Sequence, residues 1–427
     1  MSKRILLASA ILCLAGYVYV YATGRAYPPI RSDGYSYYLY LPSWFIYGDT
    51  TLTAVARDCC GGVFPTHTSI IRWPDTKRWV NPHPIGVAFM QTPFFLVGHA
   101  LTGWSNLSPD GFSLYYQHAA GLAGVFWAIA GLFVLRRLLL RHFSDGITAA
   151  TLLALVFGTS LYHYATYDSG YSHIYAFFLF AAFLLLTDAW HTEPPSSRRA
   201  ILLGLVAGLT ILTRHTNVLL LLAFPAYGLA SRADAIVMGR RLATRWRELA
   251  LAAAVAFAVC LPQLAIYRQA TGRAIISAYG EQHFNFSSPE LIQVLVGVQK
   301  GLFFWSPLLL AAVAGFFLKP RSVRPFLLTA VVVMIADTYL IASWWDWQFG
   351  ASYGHRAFVD TLPLLALGLA GFFEWTAARA PRKAAAIVLT SAAVFLAVFQ
   401  MLQYWQGILP MSDMTWEQYR HVFLRFR

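Results

Sequence analysis

Long apolar blocks alternate with short polar connectors along almost the whole chain. A helix that crosses about 30 Å of hydrocarbon needs about 20 apolar residues, because each residue adds about 1.5 Å of rise. The blocks predict eleven membrane-spanning helices, two of them short enough to form a tight hairpin. They are 5–22, 116–135, 147–164, 171–190, 200–213, 218–230, 248–267, 302–318, 325–343, 357–378 and 384–404.

One further apolar segment, 85–101, decides the topology, because counting it as a span reverses the orientation of everything after it. If it does not span, the basic connectors all lie on the side of Lys3 and Arg4, which the positive-inside rule assigns to the cytoplasm. We therefore predict an interfacial or re-entrant helix at 85–101, inside a first outer loop of about 23–115. The connectors carry Arg136, Arg137, Arg141, Arg198, Arg199, Arg240, Arg241, Arg245, Arg247, Lys319, Arg321, Arg324, Arg379, Arg382 and Lys383.

The composition agrees with lipid as the solvent. Of 427 residues, 58% are hydrophobic and 12% are charged, which is too apolar for a soluble core of this size. A net charge of +13 would suggest nucleic acid in a soluble protein, but these basic residues stand beside apolar blocks, where they face anionic lipid. We expect an all-α, polytopic protein with a single transmembrane domain over 1–427, in contact with membrane lipids and not with nucleic acid.

This topology places the candidate chemistry on the outer side. Besides the first loop, the outer segments are 268–301 and the tail 405–427. The inner connectors contain neither a Gly-rich phosphate loop nor an acidic metal motif that a cytoplasmic nucleotide would require. We therefore expect an active site on the outer side, where the acids are Asp33, Asp49, Asp168, Glu281 and Asp346.

Two of these acids are expected at the same membrane face. Asp33 follows the first span by about eleven residues and precedes an aromatic run, and Asp168 lies in the short turn after the third span. Convergent carboxylates can position a base or a cation. Each could instead cap a helix, because Asp accepts hydrogen bonds from free N–H groups at a helix start.

Three further charged or titratable residues stand at unusual places. His83 lies in a proline-flanked turn that starts the helix at 85–101, although helix punctuation alone would explain the prolines. Arg356 precedes an apolar helix at the depth of a lipid phosphate; snorkelling is the alternative, but arginine on the outer side opposes the usual bias. Asp337 lies inside a span, so it should face the interior and pair with a neighbouring helix.

Together, these features resemble the integral membrane glycosyltransferases of the C superfamily (GT-C), in the class related to protein O-mannosyltransferases and aminoarabinose lipid A transferases. The resemblance covers nearly the whole chain. Its motifs are Asp33, Pro82-His83-Pro84-Ile85-Gly86, Asp168, Leu212-Thr213-Arg214, Gly301-Leu302-Phe303-Phe304-Trp305-Ser306-Pro307 and Tyr353-Gly354-His355-Arg356.

The resemblance implies an inverting transfer of a sugar from a polyprenyl-phosphate donor to a hydroxyl of a lipid, glycan or protein acceptor. Asp33 would be the catalytic base. The leaving phosphate would be neutralised by Arg356, with Lys300, His355, Arg214 and Tyr353 as further donor-binding candidates.

Two other residues have less defined expected roles. Asp168, with His83, would position the acceptor or hold a divalent cation, Mg²⁺ or Mn²⁺. The implied location is a bacterial inner membrane, with a cytoplasmic N-terminus and a periplasmic site. The alternative function is a flippase or transporter of a lipid-linked substrate, which would also need phosphate contacts and buried charges.

Overall fold

The computed structural model of this protein describes residues 1–64, 68–277, 282–318 and 321–426, which are mostly helical. Glu281 and Lys319, named above, lie outside these residues. The helices are α1 Ser2–Ala22, α2 Ser32–Tyr38, α3 Tyr40–Phe45, α4 Thr53–Cys60, α5 Gly86–Gly103, α6 Leu114–His142, α7 Asp145–Phe157, α8 Leu161–Thr166, α9 Ser172–Thr192, α10 Ser197–Thr213, α11 Ala223–Ala226, α12 Arg232–Thr244, α13 Trp246–Thr271, α14 Leu291–Val296, α15 Leu302–Trp305, α16 Leu308–Phe317, α17 Leu327–Ser343, α18 Leu362–Ala377, α19 Ala380–Trp405 and α20 Trp416–Val422. The 3₁₀ helices His215–Leu222, Arg321–Phe326 and Arg356–Thr361 lead into α11, α17 and α18. Strands β1 Ile71–Arg72 and β2 Trp79–Val80 pair antiparallel, with Ile71 opposite Val80.

Every predicted span coincides with helix over most of its length, which confirms the all-α membrane fold. Among the described residues, seven helices are long and apolar enough to cross a membrane, judged by length and composition alone. They are Ser2–Ala22, Leu114–His142, Ser172–Thr192, Trp246–Thr271, Arg321–Ser343, Arg356–Ala377 and Ala380–Trp405. Shorter apolar helices occupy Asp145–Phe157, His215–Ala226 and Leu308–Phe317.

Helix α5 packs antiparallel on the first half of α6. Near the end of α5, His99 hydrogen-bonds Tyr116. Near its start, the carbonyl of Met90 accepts a hydrogen bond of 3.0 Å from Trp127 in the middle of α6. Helix α5 thus begins halfway along α6 and returns to the end where α6 starts. This packing fits the re-entrant helix predicted at 85–101, whose depth in a membrane stays a prediction.

Two glycines let α10 and α13 approach backbone to backbone. A Cβ added at Gly204 would lie 2.2 Å from the carbonyl oxygen of Ala252, and one at Gly208 would lie 2.8 Å from Cβ of Val259. Small residues four apart on one helix face allow this close packing, on which helix association in lipid depends.

The basic connectors gather at one end of the bundle, together with the N-terminus. The amino group of Met1 binds Asp145 at 2.5 Å, and Arg136 donates to Ser2 at 2.7 Å. The ion pairs Arg141–Asp188, Arg141–Glu193, Arg199–Glu193 and Arg245–Glu248 continue this cluster. The described part of the chain therefore has one strongly basic end, as the topology prediction requires.

Candidate active site

A cavity of about 820 Å³ lies toward the end opposite the basic cluster. Its walls come from the segment after α1, the start of α9, the link between α10 and α11, the end of α17 and the residues before α18. This volume is typical of small-molecule sites. The charged and aromatic residues that line it include Arg31, Asp33, Tyr37, His83, Asp168, Tyr171, His173, Arg214, His215, Asp337, Trp344, Trp345, Phe349 and Arg356.

Asp33 forms an ion pair across the cavity. Its Oδ2 accepts a hydrogen bond of 2.8 Å from Nη2 of Arg356. No side chain caps the start of α2, so the capping role that the sequence also allowed for Asp33 is wrong. Burial alone would raise the pKa of Asp33, but the charges of Arg356 and His83 outweigh it and lower that pKa.

Phe349 contacts two arginines at once. The guanidinium of Arg356 lies 5.7 Å from its ring centroid, and that of Arg214 lies 5.3 Å from it. The backbone of Phe349 has φ +57°, a left-handed conformation that bulky residues rarely adopt and that costs about 1–3 kcal/mol. Strain of this kind tends to occur at functional sites, where the surrounding structure maintains it.

Arg214 belongs to a second charged cluster. Oδ1 of Asp360 is 2.8 Å from Nδ1 of His173, and its Oδ2 accepts from Arg214 at 3.4 Å. Both oxygens of Asp360 are thereby used, and the side chain is almost fully buried. This cluster fixes Arg214 at the wall of the cavity while leaving its aromatic contact with Phe349 intact.

Asp168 is held by two basic side chains. It pairs with Arg31 at 2.5 Å and with Nε2 of His163 at 2.8 Å, while Nδ1 of His163 accepts from Trp405 at 2.9 Å. Burial alone would raise the pKa of Asp168, but Arg31 and His163 hold it at about 2. The side chain is therefore an anion fixed by its neighbours.

The surroundings of Asp168 do not fit a metal ion. A metal cation would need the carboxylate of Asp168 as a ligand, but the positive charge of Arg31 already neutralises that carboxylate. Within the described ranges, no group of three or more His, Cys, Asp or Glu side chains is arranged to hold a metal. The divalent cation stays a prediction from the resemblance.

His83 reaches the cavity at the start of α5. Its ring packs edge-on against Tyr37, with centroids 4.7 Å apart, and its carbonyl accepts from the hydroxyl of Tyr40. Burial lowers the pKa of His83 to about 4, with the charge of Arg356 acting in the same direction. A buried imidazole beside Asp33 and Arg356 can donate to a phosphate or accept from a hydroxyl.

Three predicted donor-binding residues lie behind the cavity wall. Nζ of Lys300 donates to the carbonyls of Ser352 and Met411, and burial lowers its pKa to about 7. The hydroxyl of Tyr353 donates to the carbonyl of Ala397 at 2.8 Å. His355 packs edge-on against Phe349 at 5.6 Å. These contacts support the loop that carries Arg356, and direct donor contact stays untested for all three.

His173, Asp360 and Arg31 belong to the site but were not predicted from the sequence. Asp360 offered a signal, because a charge inside an apolar span, one turn after Arg356, is costly unless it is paired. Arg31 and His173 lay inside segments singled out for Asp33 and Asp168. Their partners are distant in sequence, so nothing local marked their roles.

The chain is a polytopic helical bundle with a charged cavity toward one end. Two crystal structures of ArnT from Cupriavidus metallidurans share this fold. The structure bound to undecaprenyl phosphate matches with a TM-score of 0.58 at 17% identity, and the apo structure with 0.55 at 15%.

The match to ArnT is incomplete in length. It covers 92% and 93% of this chain, but only 63% and 65% of the ArnT chains. At such low identity the likeness establishes the fold, and activity has to be argued from the site. No protein-family profile and no curated protein matches this sequence.

Proposed function

We propose that this protein is a membrane glycosyltransferase that takes a sugar from a polyprenyl-phosphate donor. The observation that carries the proposal is the pairing of Asp33 with Arg356 inside a large cavity at the end away from the basic cluster. A carboxylate and a fixed guanidinium are the two groups that this transfer needs. The shared fold with an ArnT structure that holds undecaprenyl phosphate supports a lipid-phosphate donor.

Asp33 is the proposed base. It takes the proton of the acceptor hydroxyl while the hydroxyl oxygen attacks the anomeric carbon. The bond from that carbon to the phosphate oxygen breaks, and its electron pair leaves with the phosphate, so the configuration at the carbon inverts. Negative charge grows on the phosphate as the bond breaks, so a cation at that place stabilises the transition state more than the ground state.

The ion pair of Asp33 with Arg356 implies an exchange of partners. An in-line displacement puts the base and the leaving phosphate on opposite sides of the anomeric carbon, so an Arg356 bonded to Asp33 cannot also hold the phosphate. We therefore expect the donor phosphate to replace Asp33 on Arg356. This exchange would raise the pKa of Asp33 and make it a stronger base only when a donor is bound.

Arg214 is placed to help with the phosphate. It contacts the same Phe349 ring as Arg356 and is already anchored by Asp360 at 3.4 Å. Two guanidinium groups beside one ring can both donate to one phosphate. Lys300 would act at longer range, because it does not line the cavity and its ammonium group donates to the carbonyls of Ser352 and Met411.

The orientation of the site belongs to the same proposal. Basic connectors at the end opposite the cavity favour a cytoplasmic location for that end, which puts the cavity at the periplasmic side of an inner membrane. The acceptor would be a lipid, glycan or protein that reaches this side, since a polyprenyl phosphate delivers its sugar there without a nucleotide.

The test uses purified full-length protein in lipid nanodiscs with a panel of radiolabelled undecaprenyl-phosphoryl hexoses and pentoses. We expect one donor to lose its sugar, with release of undecaprenyl phosphate, and the Arg356→Ala variant to lose this activity. Arg382→Ala is the matched control, because Arg382 also lies over an aromatic ring, Trp375 at 4.0 Å, but belongs to the basic end. Transbilayer movement of an intact donor, without cleavage, would instead identify a flippase.

A further inference from the structure

Asp337 is a buried carboxylate for which the described residues supply no partner at Oδ2. It lies in α17, is 9% exposed and lines the cavity. Its Oδ2 has no hydrogen-bond partner among the residues the structure describes. The expectation that it pairs with a neighbouring helix is therefore wrong, although it does face the interior. An unpaired buried carboxylate is costly to maintain, which calls for an explanation by function.

Three other acids around this cavity are paired. Asp33 binds Arg356, Asp168 binds Arg31 and His163, and both oxygens of Asp360 are engaged. Arg214, the basic group that acts electrostatically on Asp337, makes its ion pair with Asp360 instead. Asp337 is thus a buried acid of this cavity whose Oδ2 makes no hydrogen bond within the described ranges, whereas Asp346, which also lines the cavity, is only half-buried.

The surroundings of Asp337 indicate what it would bind. Residues 337, 340, 341 and 344 all line the cavity, a spacing that puts them on one face of α17 and its end. Trp344 and Trp345 continue this wall, and Phe284 packs against Trp344 with ring centroids 4.7 Å apart. Aromatic walls with a few fixed polar groups are typical of small-molecule sites, in which the polar groups set orientation and specificity.

We infer that Asp337 binds hydroxyl groups of the sugar on the donor and so contributes to donor-sugar selection; this inference rests on the proposed function. A carboxyl group can exchange hydrogen bonds with two neighbouring hydroxyls through its two oxygens, and in its ionised form it would repel a phosphate. Arg356 and Arg214 would hold the phosphate, and the sugar would extend from them along the wall that carries Asp337 and Trp344.

The experiment compares the affinity of each variant for two probes, undecaprenyl phosphate and the undecaprenyl-phosphoryl sugar that the wild type cleaves. In Asp337→Asn and Asp337→Leu, we expect affinity for the sugar-bearing donor to fall about 10- to 100-fold, the usual value of hydrogen bonds to a charged group. Affinity for undecaprenyl phosphate should be unchanged or higher, because a like charge has been removed. Arg356→Ala should weaken both probes.

A thermal unfolding measurement separates binding from a structural role. Removing an unpaired buried charge should leave the melting temperature of Asp337→Asn unchanged or raised, whereas Asp360→Asn breaks bonds to His173 and Arg214 and should lower it. Equal loss of both probes in Asp337→Asn, or a melting temperature that falls as in Asp360→Asn, would overturn the inference. A wild type that binds neither probe would overturn the proposed function, and the inference with it.

Discussion

Asp33 and Arg356 stand 323 positions apart in the chain, yet their side chains meet at 2.8 Å. Each restricts what the other can do. While Arg356 is bound, the Asp33 carboxylate is a poor base, and while Asp33 is bound, one edge of the guanidinium is occupied. Nε of Arg356 has no partner among the described residues, so part of its donor capacity stays available for a phosphate.

The change Asp33→Asn tests the base directly. Asn keeps the size of the side chain but removes its basicity, so transfer should fall about 10² to 10⁴-fold in turnover. Affinity for undecaprenyl phosphate should be kept or improved, because Arg356 no longer has a competing carboxylate.

Asp49→Asn is the matched control for this variant. Asp49 lies in the same segment between α1 and α6 but accepts hydrogen bonds from the backbone N–H groups of Thr51 and Ala54, a capping role that Asn can fill. Near-normal turnover in Asp33→Asn would exclude it as the base, and Asp168 would become the candidate.

Arg356→Lys should be damaging although the charge is conserved. Lysine is a point charge without the planar fork that binds two phosphate oxygens, and it would lose the stacking on Tyr171 at 5.2 Å. We expect the dissociation constant for undecaprenyl phosphate to rise at least about tenfold, the value of one lost charged hydrogen bond. Titration of the purified variant measures it, and an unchanged constant would remove Arg356 from the phosphate site.

The sequence predicted site residues well where a charged or titratable side chain stood in a segment that lines the cavity. Five of the eight candidates line the cavity, namely Asp33, His83, Asp168, Arg214 and Arg356. Lys300, His355 and Tyr353 stood in motifs next to the site, and sequence proximity does not tell which way a side chain points. Asp360 and His173 were not predicted as site residues, because their role comes from a contact between positions 187 apart in the chain.

At the scale of elements, hydrophobic blocks predicted where helices lie but not where they break. The block 147–164 is split by Gly158 to Ser160, and the block 302–318 is split at Ser306-Pro307. A hydropathy pattern does not register such breaks, since the flanking residues stay apolar. Helix α12 was not predicted, because its sequence is too charged to count as a membrane span.

The close packing of α10 against α13 can be tested by comparing the same substitution, Gly to Ala, at a packed position and at an open one. Gly204→Ala puts a methyl group 2.2 Å from the carbonyl oxygen of Ala252, so the helices must separate, at a cost of about 1–3 kcal/mol. Gly239→Ala in α12 meets nothing within 4 Å and should be neutral or stabilising by up to about 1 kcal/mol. Thermal unfolding in detergent should therefore shift down for the first and not for the second; equal shifts would contradict the close packing.

At the scale of the whole molecule, charge divides the bundle into two ends. The N-terminus, Arg136 and the Arg141 cluster lie at one end, and the cavity lies toward the other. The fold likeness to ArnT does not fix which end faces the cytoplasm, because it reports on chain path and not on a membrane. The positive-inside rule supplies the direction, and the placement of 85–101 is the step on which it depends.

Cysteine labelling in intact cells tests this direction. Ser108 and Pro195 are both exposed, the first in the loop between α5 and α6 and the second between α9 and α10. If α5 returns to the side from which it came, a membrane-impermeant maleimide should label Ser108→Cys from outside. Pro195→Cys should be labelled only after permeabilisation, because its connector belongs to the basic end. The unsubstituted protein sets the background from its own cysteines. Labelling of Pro195→Cys in intact cells would reverse the predicted topology, because it would put the basic connectors outside. The cavity would then lie on the cytoplasmic side, where a polyprenyl-phosphate donor could not deliver a sugar to a periplasmic acceptor.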